Sequence, residues 1–253
     1  MKELTIFRQH GRQFIPDLQK VELPEIFRGR PVISNDLLPE EAGRLHNLCP
    51  VKAIGINPCS LDLGKCIFCK ECEFQSLGKI KFTNDYRLAV NSRDDLIIVQ
   101  GMSNPFQLDR KKIREEIRVL FKHALKLRQV SAGGDNSSEM ELNAAGNVNF
   151  DMGRFGIEFV ASPRHADGLV ITGPITQNMS AALQLCYDAI PAPKIIILAG
   201  SDVISGGIFS GSPALERGFL EKYPVDLYLP GNPVHPLTFI HGVLNLTGYW
   251  SSK

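Results

Sequence analysis

The chain has 253 residues, 28 basic and 27 acidic side chains and 43% hydrophobic content, an ordinary globular composition that excludes disordered, collagenous and membrane-spanning classes. A net charge of +1 supplies no global field for polyanions, so nucleic acid is not an expected partner. The longest apolar run, Ile195 to Ala199, is far short of the roughly 20 residues a membrane helix needs, and the polar start MKELTIFRQHGRQ does not read as a signal peptide; the expectation is a cytoplasmic protein.

Five of the six cysteines, Cys49, Cys59, Cys66, Cys69 and Cys72, crowd into one short segment, and Cys186 stands far downstream. In a reducing compartment, thiols clustered at two-residue intervals serve as metal ligands more often than as bridges. The run Cys66-Ile-Phe-Cys69-Lys-Glu-Cys72 is C-x2-C-x2-C, a spacing that wraps a short loop around an iron-sulfur cube. Its fourth ligand should precede it, because in two-cluster bacterial ferredoxins the last cysteine of each run serves the other cluster. Cys49-Pro50, followed by Val-Lys-Ala-Ile, resembles the CP-x-x-AI ending of a first ferredoxin half. The same spacing puts the ligands of a second cluster at Pro39, Ala42, Leu45 and Ser76, none of them cysteine. The expectation is one 4Fe-4S cluster on Cys49, Cys66, Cys69 and Cys72. Tetrahedral zinc is the rival for four thiolates, although zinc sites usually pair two C-x2-C knuckles. Cys59 falls between the two halves and reads as a small buried thiol.

After the cysteines, the alternating run Lys79 to Val90 and the apolar Leu96 to Val99 predict the strands of a hairpin closing this first module. From Gln107 to Gln129, Ile113, Ile117, Leu120, Phe121, Ala124 and Leu125 recur at helical spacing and predict an amphipathic helix; its basic face is either solvated or set against an acidic partner. Strand-like runs then alternate with helix-like ones: Ile157 to Ala161, Gly168 to Thr172, a helix over Asn178 to Ala189, Lys194 to Ala199, Val225 to Leu229 and a helix around Pro236 to Leu246. Cys186 falls in the first of these helices as a core thiol. The alternation predicts a parallel sheet covered by helices, with any site in the glycine-containing turns at the carboxyl ends of its strands.

Two resemblances follow from these residues. Phe27-Arg-Gly-Arg-Pro31 ahead of the cysteines and Phe82-Thr-Asn-Asp-Tyr-Arg-Leu-Ala-Val90 behind them make residues 20 to 100 similar to the polyferredoxin-type electron-transfer subunit of formate hydrogenlyase and related complex I-like assemblies. Residues 130 to 248 resemble the small subunit of membrane-bound NiFe hydrogenases and the 20 kDa-type subunit of complex I, most closely at Arg154 to Thr176. Together they imply an α/β protein: an N-terminal ferredoxin-like α+β module with one cluster over 1–104, a linker helix over 105–130, and a flavodoxin-like parallel-sheet domain over 131–253.

Where that second family carries the four cysteines of its proximal cluster, this chain has Asp135, Ser138, Asp202 and Asn232, while the framework around them, including Ser205-Gly206-Gly207 and Pro233 to Pro236, is kept. The resemblance therefore implies a missing proximal cluster. The oxygen-bearing turns become either a hydrogen-bonded polar lining or a pocket for a hard cation such as Mg²⁺. His235 and Arg164, beside the turns, are expected to pack and not to carry acid-base chemistry. The implied function is an iron-sulfur electron-transfer subunit of a membrane-associated hydrogenase-like or complex I-like oxidoreductase, not catalytic alone. It would dock on a hydrogenase large-subunit or complex I 49 kDa-like subunit beside other iron-sulfur and membrane subunits, peripheral at the inner face of the membrane. The alternatives are a non-redox scaffold with a structural cluster, and a pocket turned over to a new small ligand.

Overall fold

The computed structural model describes residues 2–11 and 13–252; Met1, Arg12 and Lys253, and with them the two ends of the expected modules, lie outside the described residues. The first half runs α1 (Lys2–His10), β1 (Pro31–Ile33), α2 (Pro39–Leu48), β2 (Ile54–Ile56), β3 (Cys59–Asp62), α3 (Glu71–Gln75), β4 (Ile80–Phe82) and β5 (Ile97–Val99). Helix α2 starts on Pro39, whose missing N–H costs nothing in a first turn, and Glu41 reaches back to accept the Leu38 N–H at 2.8 Å. The second half runs α4 (Glu115–Leu120), β6 (Leu125–Ser131), α5 (Ser137–Ala144), β7 (Ile157–Phe159), β8 (Gly168–Thr172), α6 (Gln177–Ala189), β9 (Ile195–Ala199), α7 (Ser201–Ser205), α8 (Gly218–Lys222), β10 (Leu227–Leu229) and α9 (Pro236–Leu246).

Strands β6 to β10 form one sheet in the order β10-β9-β8-β6-β7, with every neighbouring pair parallel. This is a flavodoxin-like winding, whose strand order reverses at β6. The N-terminal half is ferredoxin-like and antiparallel: β1 pairs with β4, and β3 pairs with both β2 and β5. The predicted hairpin between 79–90 and 96–99 is therefore not formed, since β4 and β5 each find a partner earlier in the chain.

The predicted helix over 107–129 is also corrected. Only Glu115–Leu120 is helical, and Leu125–Ser131 is the strand at the sheet's reversal point. In that strand the apolar residues alternate, with Leu125 and Leu127 buried to one side and Val130 to the other. Leu125 also continues the helical stripe of Ile113, Ile117 and Phe121, so either period fits it; pairing with two neighbouring strands decides. The linker expected over 105–130 thus ends inside the sheet.

Successive residues of β8 feed opposite sides of the sheet: Val170 enters the core built on α9, whereas Leu169 and Ile171 enter the other. That other core is continuous with Ile33, Leu45, Leu61, Ile80 and Ile98 of the N-terminal half. A short ladder reinforces the join, with the Val90 N–H donating to the Tyr228 carbonyl at 3.1 Å and the Tyr228 N–H to Val90 at 2.8 Å. Among the described residues no helix is long and apolar enough to cross a membrane.

Candidate metal centre

Cys49 follows the last turn of α2, Cys66 and Cys69 lie in the loop between β3 and α3, and Cys72 sits in α3 itself. All four line one cavity of about 360 Å³, walled by Leu45, Val51, Ile54, Leu61, Ile67 and Phe82. Cys66 and Cys72 are buried, Cys49 is half-buried and Cys69 is exposed, so the cavity meets solvent on the Cys69 side. The loops curl through left-handed backbone at Lys52, Phe68 and Lys70, at φ of 49°, 54° and 65°. Next to two of these bends a backbone amide turns onto sulfur: the Ala53 N–H donates to Cys49 Sγ and the Phe68 N–H to Cys66 Sγ, each at 3.3 Å.

Burial pushes the Cys66 thiol well above the ordinary cysteine range, and the nearby Cys72, Cys49 and Cys69 push it further, against the Phe68 amide. Cys72 is pushed up to about 12 by burial and by the charges of Cys69 and Cys49. The four sulfurs therefore stand within one another's fields, and deprotonating them together requires a cation among them. Soft donors, apolar walls and amide donors aimed at sulfur fit a 4Fe-4S group. Among the described residues no three His, Cys, Asp or Glu side chains converge on a point where one metal ion would sit. The thiols surround a space instead.

At the positions of the second ferredoxin cluster, Ala42 and Leu45 are fully buried in the apolar core and Pro39 opens α2. Ser76 Oγ accepts the Ile80 N–H at 2.9 Å and donates to the Glu73 carbonyl at 3.3 Å. Cys59 is buried in β3, as expected, and Cys186 is half-buried on α6 against the core.

The turns after β6, β9 and β10 meet at the sheet's carboxyl edge. The Gly200 N–H donates to the Leu229 carbonyl at 2.9 Å and the Ser201 N–H to Gly231 at 2.8 Å. A Cβ on Gly200 would stand 3.1 Å from Ser138 Oγ, and one on Gly134 would stand 3.0 Å from Gly173 Cα, so the close approach is built from glycine. Asp135 is exposed and accepts from the Ser137 N–H and hydroxyl at 3.0 and 2.6 Å, and not from Ser138. Asp202 Oδ1 is buried with no hydrogen-bond partner; burial and the Asp135 charge raise its pKa. The polar lining is thus incomplete at Asp202. Asn232 is exposed and lines a different cavity, between the two halves, with Phe27, Arg28, Phe68, Glu141 and His235.

His235 caps α9 by accepting the Leu237 N–H at 3.2 Å, and its ring meets Phe27 and Phe150 edge-on at 5.2 and 5.7 Å. Arg164 is exposed in the short 3-10 turn Pro163–His165. Two side chains that the sequence does not single out touch the cysteine loop. Ser201 Oγ donates to the Cys66 carbonyl at 2.5 Å, and Arg28 Nη1 donates to the Phe68 carbonyl at 2.7 Å. Arg28 lies in the Phe27–Pro31 motif, but nothing local announces a contact between Ser201 and a loop 135 residues away.

A parallel sheet of flavodoxin type, carrying glycine-lined turns at its carboxyl edge and seated against a cysteine-bearing antiparallel half, defines a class of small redox-complex subunit. Residues 136–246 match the family described as the 20 kDa subunit of NADH ubiquinone oxidoreductase. The probable membrane-bound hydrogenase subunit MbhJ of Pyrococcus furiosus is 35% identical over 139 residues, covering 54% of this chain and 83% of that protein. An NADH-quinone oxidoreductase subunit of Clostridium beijerinckii is 44% identical over 108 residues, 42% of this chain and 64% of that one, so the chain spans just under two thirds of it. A chain in a solved structure of the membrane-bound sulfane sulfur reductase, an archaeal respiratory membrane complex, shares 30% identity over 50% of this chain and 70% of that one, with a TM-score of 0.44. The chain belongs to the family of these 20 kDa-type subunits of NADH-quinone oxidoreductases and membrane-bound hydrogenases.

Proposed function

We propose that the chain is an electron-transfer subunit of a membrane-associated hydrogenase-like or complex I-like oxidoreductase, holding one 4Fe-4S cluster on Cys49, Cys66, Cys69 and Cys72. The observation that carries this is the convergence of all four thiols on one apolar cavity, with amide donors on two of the sulfurs. The bound group would supply a one-electron couple. The chain's own part is to hold the thiolates, exclude water on the Cys66 and Cys72 side, and leave the Cys69 edge open to a redox partner. Thiols spread round a space favour a polynuclear group over a single zinc ion.

The division into a ferredoxin module over 1–104 and a small-subunit domain from 131 is part of this reading, with the sheet strand Leu125–Ser131 added to the second. So is the absence of a proximal cluster, since Asp135, Ser138, Asp202 and Asn232 offer oxygen and nitrogen where thiolates would be needed. The expected partners are a hydrogenase large-subunit or complex I 49 kDa-like subunit and further iron-sulfur and membrane subunits, which would hold the chain at the cytoplasmic face of the membrane. The replaced turns also favour a second reading, a scaffold subunit with a structural cluster, because they leave the second half without a resident stepping stone for an electron.

Anaerobic iron and acid-labile sulfide content, with low-temperature EPR after dithionite, tests the cluster. We expect about four irons per chain and a single reduced cubane signal. Cys69→Ala loses the iron, whereas Asp202→Ala retains it. About eight irons, or iron lost in Asp202→Ala, would place a cluster in the second half and overturn the one-cluster assignment; bound zinc without iron would favour the scaffold. Reversible reduction, together with a copurifying large subunit, separates electron carrier from scaffold.

A further inference from the structure

The loop from Cys66 to Phe68 is pinned from outside at two carbonyls. Ser201, fully buried in the turn after β9, donates to the Cys66 carbonyl at 2.5 Å, and Arg28, from the strap preceding β1, donates to the Phe68 carbonyl at 2.7 Å. Between these two anchored peptides lies the peptide joining Ile67 to Phe68, whose N–H donates to Cys66 Sγ at 3.3 Å. Phe68 is left-handed at φ 54° and buried against Phe82 at 5.9 Å between ring centres. A non-glycine residue in that region is costly and persists only when its surroundings over-determine it. The two donors do so.

Ser201 is itself fixed by backbone. Gly200, at φ +110°, gives its N–H to Leu229, and the Ser201 N–H goes to Gly231. The turns that present Asp202 and Asn232 in place of thiolates are thus fastened to the loop that presents Cys66 and Cys69.

We propose that Ser201, with Arg28 as the second anchor, is a positioning residue for the metal group held by the cysteines: it keeps the Phe68 N–H on Cys66 Sγ, and so lets the turn after β9 set that group's reduction potential. A hydrogen bond to a ligand sulfur stabilises the reduced, more negative state and raises the potential. Displacing the β9 and β10 turns therefore moves a donor at the other centre. This inference rests on the cluster assignment above.

The test is an EPR-monitored redox titration of the full chain as wild type, Ser201→Ala and Ser205→Ala. Ser205 lies in the same short helix and donates to the Ser201 carbonyl at 3.1 Å, with no contact to the cysteine loop. The expected result is full iron in all three, a more negative midpoint in Ser201→Ala and an unchanged one in Ser205→Ala. An iron-poor Ser201→Ala with wild-type far-UV circular dichroism, beside a loaded Ser205→Ala, supports the same role, since the loop then fails to hold iron without its anchor. A loaded Ser201→Ala with the wild-type midpoint overturns it. So does loss of iron that accompanies loss of the fold, or an equal shift in both variants. A wild-type chain without iron refutes the cluster assignment instead.

Discussion

His235 and His241 are imidazoles that burial holds neutral, each pushed down to about 4. His241 also feels Arg87, which lowers it, and Asp85, which opposes; its ring lies 5.1 Å from Trp250 and 5.9 Å from Tyr86. A depressed histidine leaves stability intact above the unfolded value, about 6.5, and removes it as pH falls towards about 4, because only the unfolded chain takes up the proton there. The melting temperature should drop across that window, with each imidazole costing on the order of 2 kcal/mol. His241→Gln should flatten the slope, as read by thermal unfolding between about pH 4.5 and 7.5. Asp202 has the opposite sign. Its pKa is raised by burial and by Asp135, so its contribution is present below about 3.8 and lost as pH rises. Asp202→Asn should therefore melt at a higher temperature than wild type at neutral pH, and no higher in acid.

Gly29 shows how one element depends on a missing side chain. Its N–H donates to the Thr83 carbonyl at 2.7 Å, and a Cβ there would fall 2.2 Å from the Asp85 carbonyl oxygen. Gly29→Ala must push the strap before β1 away from the segment after β4. We expect a loss of about 1–3 kcal/mol in chemical denaturation, and weaker iron retention because Arg28 is displaced with it. At this scale the sequence is legible wherever one period rules alone. The run predicted over Gly168 to Thr172 is β8, and the helix around Pro236 to Leu246 is α9, because a fully apolar five-residue run and an amphipathic eleven-residue one each admit a single assignment. Leu125 to Ser131 reads as helix because its leucines prolong the helical stripe before it, and the strand pairing that overrides the stripe lies 30 to 45 residues further on.

The whole molecule shares one core across its two halves, from Ile33 and Ile98 to Leu169, Leu198 and Phe219. Residues 1–104 taken alone would expose that face to water, so the fragment should not unfold cooperatively, whereas the full chain should unfold in one denaturant transition when followed by circular dichroism and by Trp250 fluorescence. Two separated transitions would show that the halves are independent. The Val90–Tyr228 ladder and the Ser201–Cys66 hydrogen bond work in the same direction, tying the cysteine loop to the sheet.

What the sequence alone determined is local and chemical: a C-x2-C-x2-C run with its outlying Cys-Pro, the replaced residues Asp135, Ser138, Asp202 and Asn232, and an α/β alternation ending in glycine turns. Spacing carries such features because metal loops, strands and helices each impose a short period on the chain. Tertiary structure alone decided that Ala42 and Leu45 fill the position of the second ferredoxin cluster, that β1 and not β5 pairs with β4, and that Ser201 reaches Cys66. These are contacts between residues far apart in the chain, fixed by which surfaces bury one another, and no local period records them.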